Sequence, residues 1–182
     1  MGAAFETHLV TLEDTAEIIA SHGLRLRPEK KLALDGRPDV LIIPGGGWSN
    51  RAAKGAWAQV QEGKLPKEIV RLKESGTTLA SVCTGGMILA SAGVLRGRPA
   101  ITHASAIDDL RAAGARVVQA RVVDDGDVIT SGGVTSGLDM SLWLVERYAG
   151  EQLANSVAQE MEHERNRDVW RRPERAVAER AR

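Results

Sequence analysis

The sequence predicts an α/β fold, a mainly parallel sheet covered by helices, with a nucleophile elbow between one strand and the helix after it. Three observations carry this. Short β-branched or apolar runs alternate with longer stretches of helical period. The strongest run, residues 39–43, is apolar on both faces, as an interior strand must be, and stops at Pro44-Gly45-Gly46-Gly47. A second run, residues 77–82, passes through Cys83-Thr84-Gly85-Gly86 directly into a helical segment over residues 87–92, ended by Gly93.

The remaining elements follow in order. Residues 5–10, 100–102, 116–118 and 127–130 read as weaker strands, the last after the turn signal Asp124-Asp125-Gly126-Asp127. Helices are expected over 65–75, 105–113, 136–149 and 151–164. Ser136-Gly137-Leu138-Asp139 has the spacing of a capping box, so Asp139 is read as structural. From Arg165 onward arginines mix with acids, the pattern of a solvated helix or frayed tail. This places one domain in residues 1–165 and a charged tail or helix in 166–182.

Composition narrows the function. Across 182 residues, 24 Lys plus Arg balance 24 Asp plus Glu, and only 3% of residues are aromatic, which argues against a nucleic-acid binder. A single cysteine excludes an internal disulfide framework and favours a reducing compartment. No run approaches the roughly 18 apolar residues of a membrane span, and residues 1–8 lack a signal pattern. The expectation is a soluble cytoplasmic protein that meets a small-molecule substrate, without membrane or nucleic-acid partners.

The chemistry converges on the strand-to-helix turn. Cys83 precedes a helix N-terminus, whose dipole and unpaired amides favour a thiolate. Gly85 and Gly86 allow a sharp turn and close approach of a substrate. A lone cysteine is more often a small buried apolar residue, but this turn context favours a reactive one. Parallel strands gather ligands at their C-terminal ends, which brings in Gly46 and Gly47 as oxyanion-hole donors beside the Thr84 amide. His103, twenty positions after the cysteine at another strand end, is the candidate proton shuttle or thiolate partner. His8, His22 and His163 lack such a context and read as surface or packing residues, and no spacing suggests a metal or cofactor site. Trp48 and Trp57 could wall a pocket, although core or interface packing is the commoner use.

Taken in order, residues 39–47, Ala80-Ser81-Val82-Cys83-Thr84-Gly85, Thr102-His103 and the stretch from Ile129 to Asp139 resemble the ThiJ/PfpI family of the class I glutamine amidotransferase-like superfamily. The resemblance covers roughly residues 5–165. It implies a flavodoxin-like three-layer sandwich, a homodimer, and Cys83 as nucleophile on the elbow, with the amides of Gly46 and Thr84 as oxyanion donors and Gly85 in the turn. Family members that resemble intracellular peptidases place histidine after the cysteine, whereas here it is Thr84, and the pattern looks most like the isonitrile hydratase branch. There the threonine hydroxyl assists at the site. A helix-start hydroxyl that caps its own backbone is an equal alternative.

One departure stands out. The family opens with a central strand and an elbow whose Asp or Glu hydrogen-bonds to the cysteine, whereas residues 5–10 here resemble the family's second strand. Glu13, Asp14 and Glu17 do not match that motif, and none is given the role. The missing strand is expected before Met1, through a misassigned start or an incomplete sequence, or its place is taken by a partner chain. The resemblance thus implies a cysteine-dependent hydratase acting on a small electrophile such as an isonitrile. A glyoxalase-like or deglycase-like enzyme and a redox-sensing or effector-binding module are the alternatives.

Overall fold

The computed structural model describes residues 4–32 and 36–173. Four short strands come first, β1 (Val10–Thr11), β2 (Ile18–Ile19), β3 (Arg25–Leu26) and β4 (Lys30–Lys31). They pair only among themselves, β1 with β4 in parallel and β2 with β3 antiparallel. Residues 5–10, expected as a strand of the main sheet, therefore contribute only Val10 to a strand, and that strand lies outside it.

The main sheet is built from β5 (Val40–Ile43), β6 (Thr78–Val82), β9 (Val122–Asp124), β10 (Val128–Ser131) and β11 (Val169–Arg171), in the order β11-β9-β10-β6-β5. Every pairing is parallel except that of β9 with β10. The exception follows from Asp124-Asp125-Gly126-Asp127, since so short a connection can only turn the chain back antiparallel. β7 (Pro99–Ala100) and β8 (Arg116–Val117) form a separate parallel pair.

Alternation along the strands sorts side chains into two layers of core. Leu79 and Val128 join Ile43, Ile69, Leu89 and Leu110 on one face, covered by α1 (Ala56–Glu62), α2 (Lys64–Glu74), α3 (Gly85–Ser91) and α4 (Ile107–Ala112). Ala80 and Ile129 join Met140, Trp143 and Leu144 on the other, covered by α5 (Ser136–Ala149). α6 (Glu151–Glu160) packs against α5. This is the flavodoxin-like three-layer arrangement that the sequence predicts. At the far end β5 is an edge strand, and its Ile42 is 44% exposed.

The charged segment after residue 165 is more structured than its composition suggests. Val169–Arg171 is the outermost strand of the main sheet, and Arg172 grips the fully buried carboxylate of Asp125, which Arg98 also holds at 2.5 Å. Residues 174–182 lie outside the described residues. Asp139 does not cap α5: the position before the helix is Thr135, and no side chain caps it. Instead its buried carboxylate takes Arg121 Nε at 2.6 Å, His163 Nε2 at 3.1 Å and the backbone N–H of Asn166 at 2.9 Å. It is structural, but as a staple that fixes the segment after α6 to α5. Burial works against its charge; the Asn166 amide, Arg121 and His163 outweigh burial and hold the carboxyl below its ordinary range.

Candidate active site

The parallel strands β5, β6 and β10 end level with one another, at Ile43, Val82 and Ser131. The chain segments leaving those ends build the site. Cys83 follows β6 directly and takes a left-handed backbone, φ 57°, which a residue bearing a Cβ adopts at a cost of about 1–3 kcal/mol. The surroundings enforce it. Its N–H donates to Gly132 O at 2.9 Å, and its carbonyl accepts the hydroxyl of the buried Thr102 at 2.9 Å. α3 starts two residues later, so Cys83 stands on a strand-to-helix elbow.

Two glycines allow this elbow to press against the end of β5. A Cβ on Gly85 would lie 2.2 Å from Ile43 O, and one on Gly45 would lie 2.5 Å from the Thr84 nitrogen and 2.8 Å from its hydroxyl. Both positions therefore exclude any side chain. The adjoining turn is tied across by the Gly46 N–H, which donates to Thr84 Oγ1 at 2.8 Å. Gly46 is thus engaged with Thr84 and not aimed at a ligand. One of the two lone pairs of the Thr84 hydroxyl takes the Gly46 N–H and its own proton is available, while the Thr84 N–H makes no protein hydrogen bond among the described residues.

A cavity of about 230 Å³ opens over Cys83, lined by Gly46, Gly47, Trp48, Ser49, Asn50, Cys83, Thr84, His103 and Ser105. Every candidate site residue except Gly85 lies on its wall; Gly85 serves from behind, through the close packing just described. Two hydrogen bonds tie the loop after β5 across the mouth: Trp48 Nε1 donates to Asp109 Oδ2 of α4 at 2.6 Å, and Ser49 Oγ to Ser105 Oγ at 2.7 Å. Trp48 also meets the ring of Trp57 edge-on, with centroids 5.2 Å apart. Trp48 therefore walls the cavity, and Trp57 braces it from outside the lining.

His103 begins the short turn Ala104–Ala106, and its Nδ1 accepts the Ser105 N–H at 3.2 Å. The ring passes over Gly133, where a Cβ would come within 3.5 Å of Cδ2. The other histidines are elsewhere: His8 pairs with Glu6 and Glu29, His163 with Asp139, and His22 sits in a surface turn. Among the described residues no carboxylate lines the cavity. Glu13, Asp14 and Glu17 pair instead with Lys64, Lys31 and Arg25.

Nothing in the sequence marks Ser49, Asn50 and Ser105, which also line the cavity, because a polar residue in a loop carries no periodic or motif signal. Ser21 is a further case: its Oγ lies 3.6 Å from where a Cβ on Gly46 would be, so the short-strand segment reaches the glycine turn.

Comparison with known proteins agrees with this geometry. The chain is 33% identical over 159 residues to an isonitrile hydratase of Pseudomonas putida, a match covering 87% of this chain and 66% of the relative. It is 32% identical over 149 residues to an HTH-type transcriptional regulator of Pseudomonas aeruginosa, covering 81% of this chain and 42% of that protein. The chain therefore spans no more than about two thirds of either relative. A crystal structure of a ThiJ/PfpI family protein from Pseudomonas syringae superposes with a TM-score of 0.77 at 28% identity, over 94% of this chain and 66% of that one. The DJ-1/PfpI family profile matches residues 2–147, and with the elbow, the glycine turn and the sheet in place, the chain belongs to the DJ-1/PfpI family.

Proposed function

We propose that this chain is a cysteine-dependent hydratase that converts a small neutral isonitrile into the N-substituted formamide. The observation that carries this reading is the pairing of Cys83 on its elbow with a Thr84 hydroxyl that accepts the Gly46 N–H and whose own proton can serve the cavity. The cavity wall supports it. Among the described residues no Lys, Arg, Asp or Glu faces the space, which suits an uncharged substrate better than an anion or a sugar phosphate.

In the proposed sequence, Cys83 sulfur bonds to the terminal carbon of the isonitrile, and that carbon gains a proton in place of the one the thiol gives up. The product of this step is a thioimidate. Water then adds to the same carbon, the carbon–sulfur bond breaks, the thiol is restored, and one water has been added in all. The hydroxyl and N–H of Thr84 would steady charge as it develops on the substrate. His103, on the same wall, would carry the proton.

The test is turnover of a simple alkyl isonitrile by purified protein, with formamide read by mass spectrometry and methylglyoxal run in parallel. Formamide production that Cys83→Ala abolishes supports the hydratase. Turnover of methylglyoxal alone would replace it with the glyoxalase-like reading. The regulator relative favours a second reading, an effector-binding module. Saturable isonitrile binding with no product formed would point that way.

A further inference from the structure

We propose that Ser105, backed by Ser49, locks His103 in the tautomer with its proton on Nε2, so that the ring offers one fixed N–H donor in the cavity that Cys83 lines. This deepens the hydratase reading and rests on it for its catalytic consequence. The argument starts from hydrogen-bond valence. A backbone N–H can only donate, so the Nδ1 that receives the Ser105 amide at 3.2 Å presents its lone pair to it while that long bond is made. In the neutral ring the proton then sits on Nε2.

The side chain of the same serine reinforces this. Ser105 Oγ lies 2.9 Å from Nδ1 and already receives the Ser49 hydroxyl at 2.7 Å, which turns its own proton toward the ring. Two donors from one residue converge on one nitrogen. Ser49 belongs to the loop after β5 and Ser105 to the turn after β7, so the lock closes only when the two walls of the cavity meet. Ser105 and Ser49 are positioning residues; the group they position is His103.

Nitrogen-15 histidine NMR at alkaline pH reads the tautomer directly, and steady-state kinetics on an isonitrile reads its use. The wild type should show His103 as the Nε2–H form alone. Ser105→Ala keeps the longer backbone bond at 3.2 Å but loses the shorter hydroxyl bond at 2.9 Å, so it should admit a visible fraction of the Nδ1–H form and lower kcat about tenfold with KM little changed, and Ser105→Thr, which keeps the hydroxyl, should restore both. Ser49→Ala should move both readouts the same way but less, and serves as the test should Ser105→Ala fail to fold. A His103 spectrum unchanged in both alanine variants overturns the proposal. A tautomer shift that Ser105→Thr reverses, in a protein that turns over no isonitrile even as wild type, upholds the lock and overturns the hydratase reading instead.

Discussion

The N–H of Gly46 donates to Oγ1 of Thr84 at 2.8 Å, and this one bond joins the glycine turn after β5 to the elbow after β6. It reassigns the glycine. An amide engaged with a protein hydroxyl fixes the geometry of the site, while the hydroxyl it orients is left to act. Thr84→Val keeps the shape of the side chain but removes both the acceptor and the proton. Stability should fall by about 1–3 kcal/mol through the unpaired amide. kcat/KM for an isonitrile should fall about 100-fold, as for loss of one oriented donor. Thr84→Ser should recover most of each. Thermal unfolding and steady-state kinetics check the two effects separately.

The left-handed backbone of Cys83 depends on the buried hydroxyl of Thr102, which holds the cysteine carbonyl. Thr102→Val leaves that carbonyl without its side-chain donor and should cost about 1–3 kcal/mol of stability. It should also slow alkylation of Cys83 by iodoacetamide, because the thiol is no longer presented in one pose. A variant that unfolds as the wild type does and alkylates as fast would show that the strand and helix alone define the elbow.

Gly45→Ala tests the contact between turn and elbow. The added methyl would lie 2.5 Å from the Thr84 nitrogen, so the turn after β5 must shift away and the Gly46–Thr84 bond must stretch or break. Activity should drop at least as far as in Thr84→Val. Stability should fall by about 1–3 kcal/mol, the usual cost of overpacking. Differential scanning calorimetry with the isonitrile assay measures both.

The opposite end of the sheet governs acid stability. Burial opposes the charge of Asp127, but Arg98 and Lys73 outweigh it and lower its carboxyl from 3.8 to about 2. A depressed folded-state value stabilises the protein above the unfolded-state value, and that contribution is lost as pH falls from about 4 through 2. Asp127→Asn should therefore be less stable at neutral pH and lose less stability over that acid window. Because Asp127 immediately precedes β10, whose far end feeds the site, isonitrile turnover should be unchanged. Urea unfolding across the pH range is the check.

Much of this was legible because the relevant signals are local. The apolar run through Ile42 and Ile43, the glycines after it and the passage from Val82 through Cys83 into a helix each define an element and its end within a few residues. Cys83, Thr84, Gly46, Gly47 and His103 reach one cavity because parallel strands bring their C-terminal ends together. What escaped the sequence is pairing at a distance. Asp139 carries a capping spacing but meets Arg121, His163 and Asn166, and no local pattern records partners 18 to 27 positions away. Val169–Arg171 lies among charged residues that read as solvated, yet β9 offers it an open edge and Asp125 offers Arg172 a buried partner. The Ser49–Ser105 bond likewise spans two loops 56 positions apart.

The central claim is that the Cys83 sulfur bonds to the isonitrile carbon. Intact-protein mass spectrometry during turnover, quenched in acid, tests it most directly. The account predicts a transient adduct equal in mass to one isonitrile, carried on the peptide containing Cys83 and absent in Cys83→Ala, with formamide appearing as it decays. Formamide formed at the wild-type rate by Cys83→Ala would contradict it.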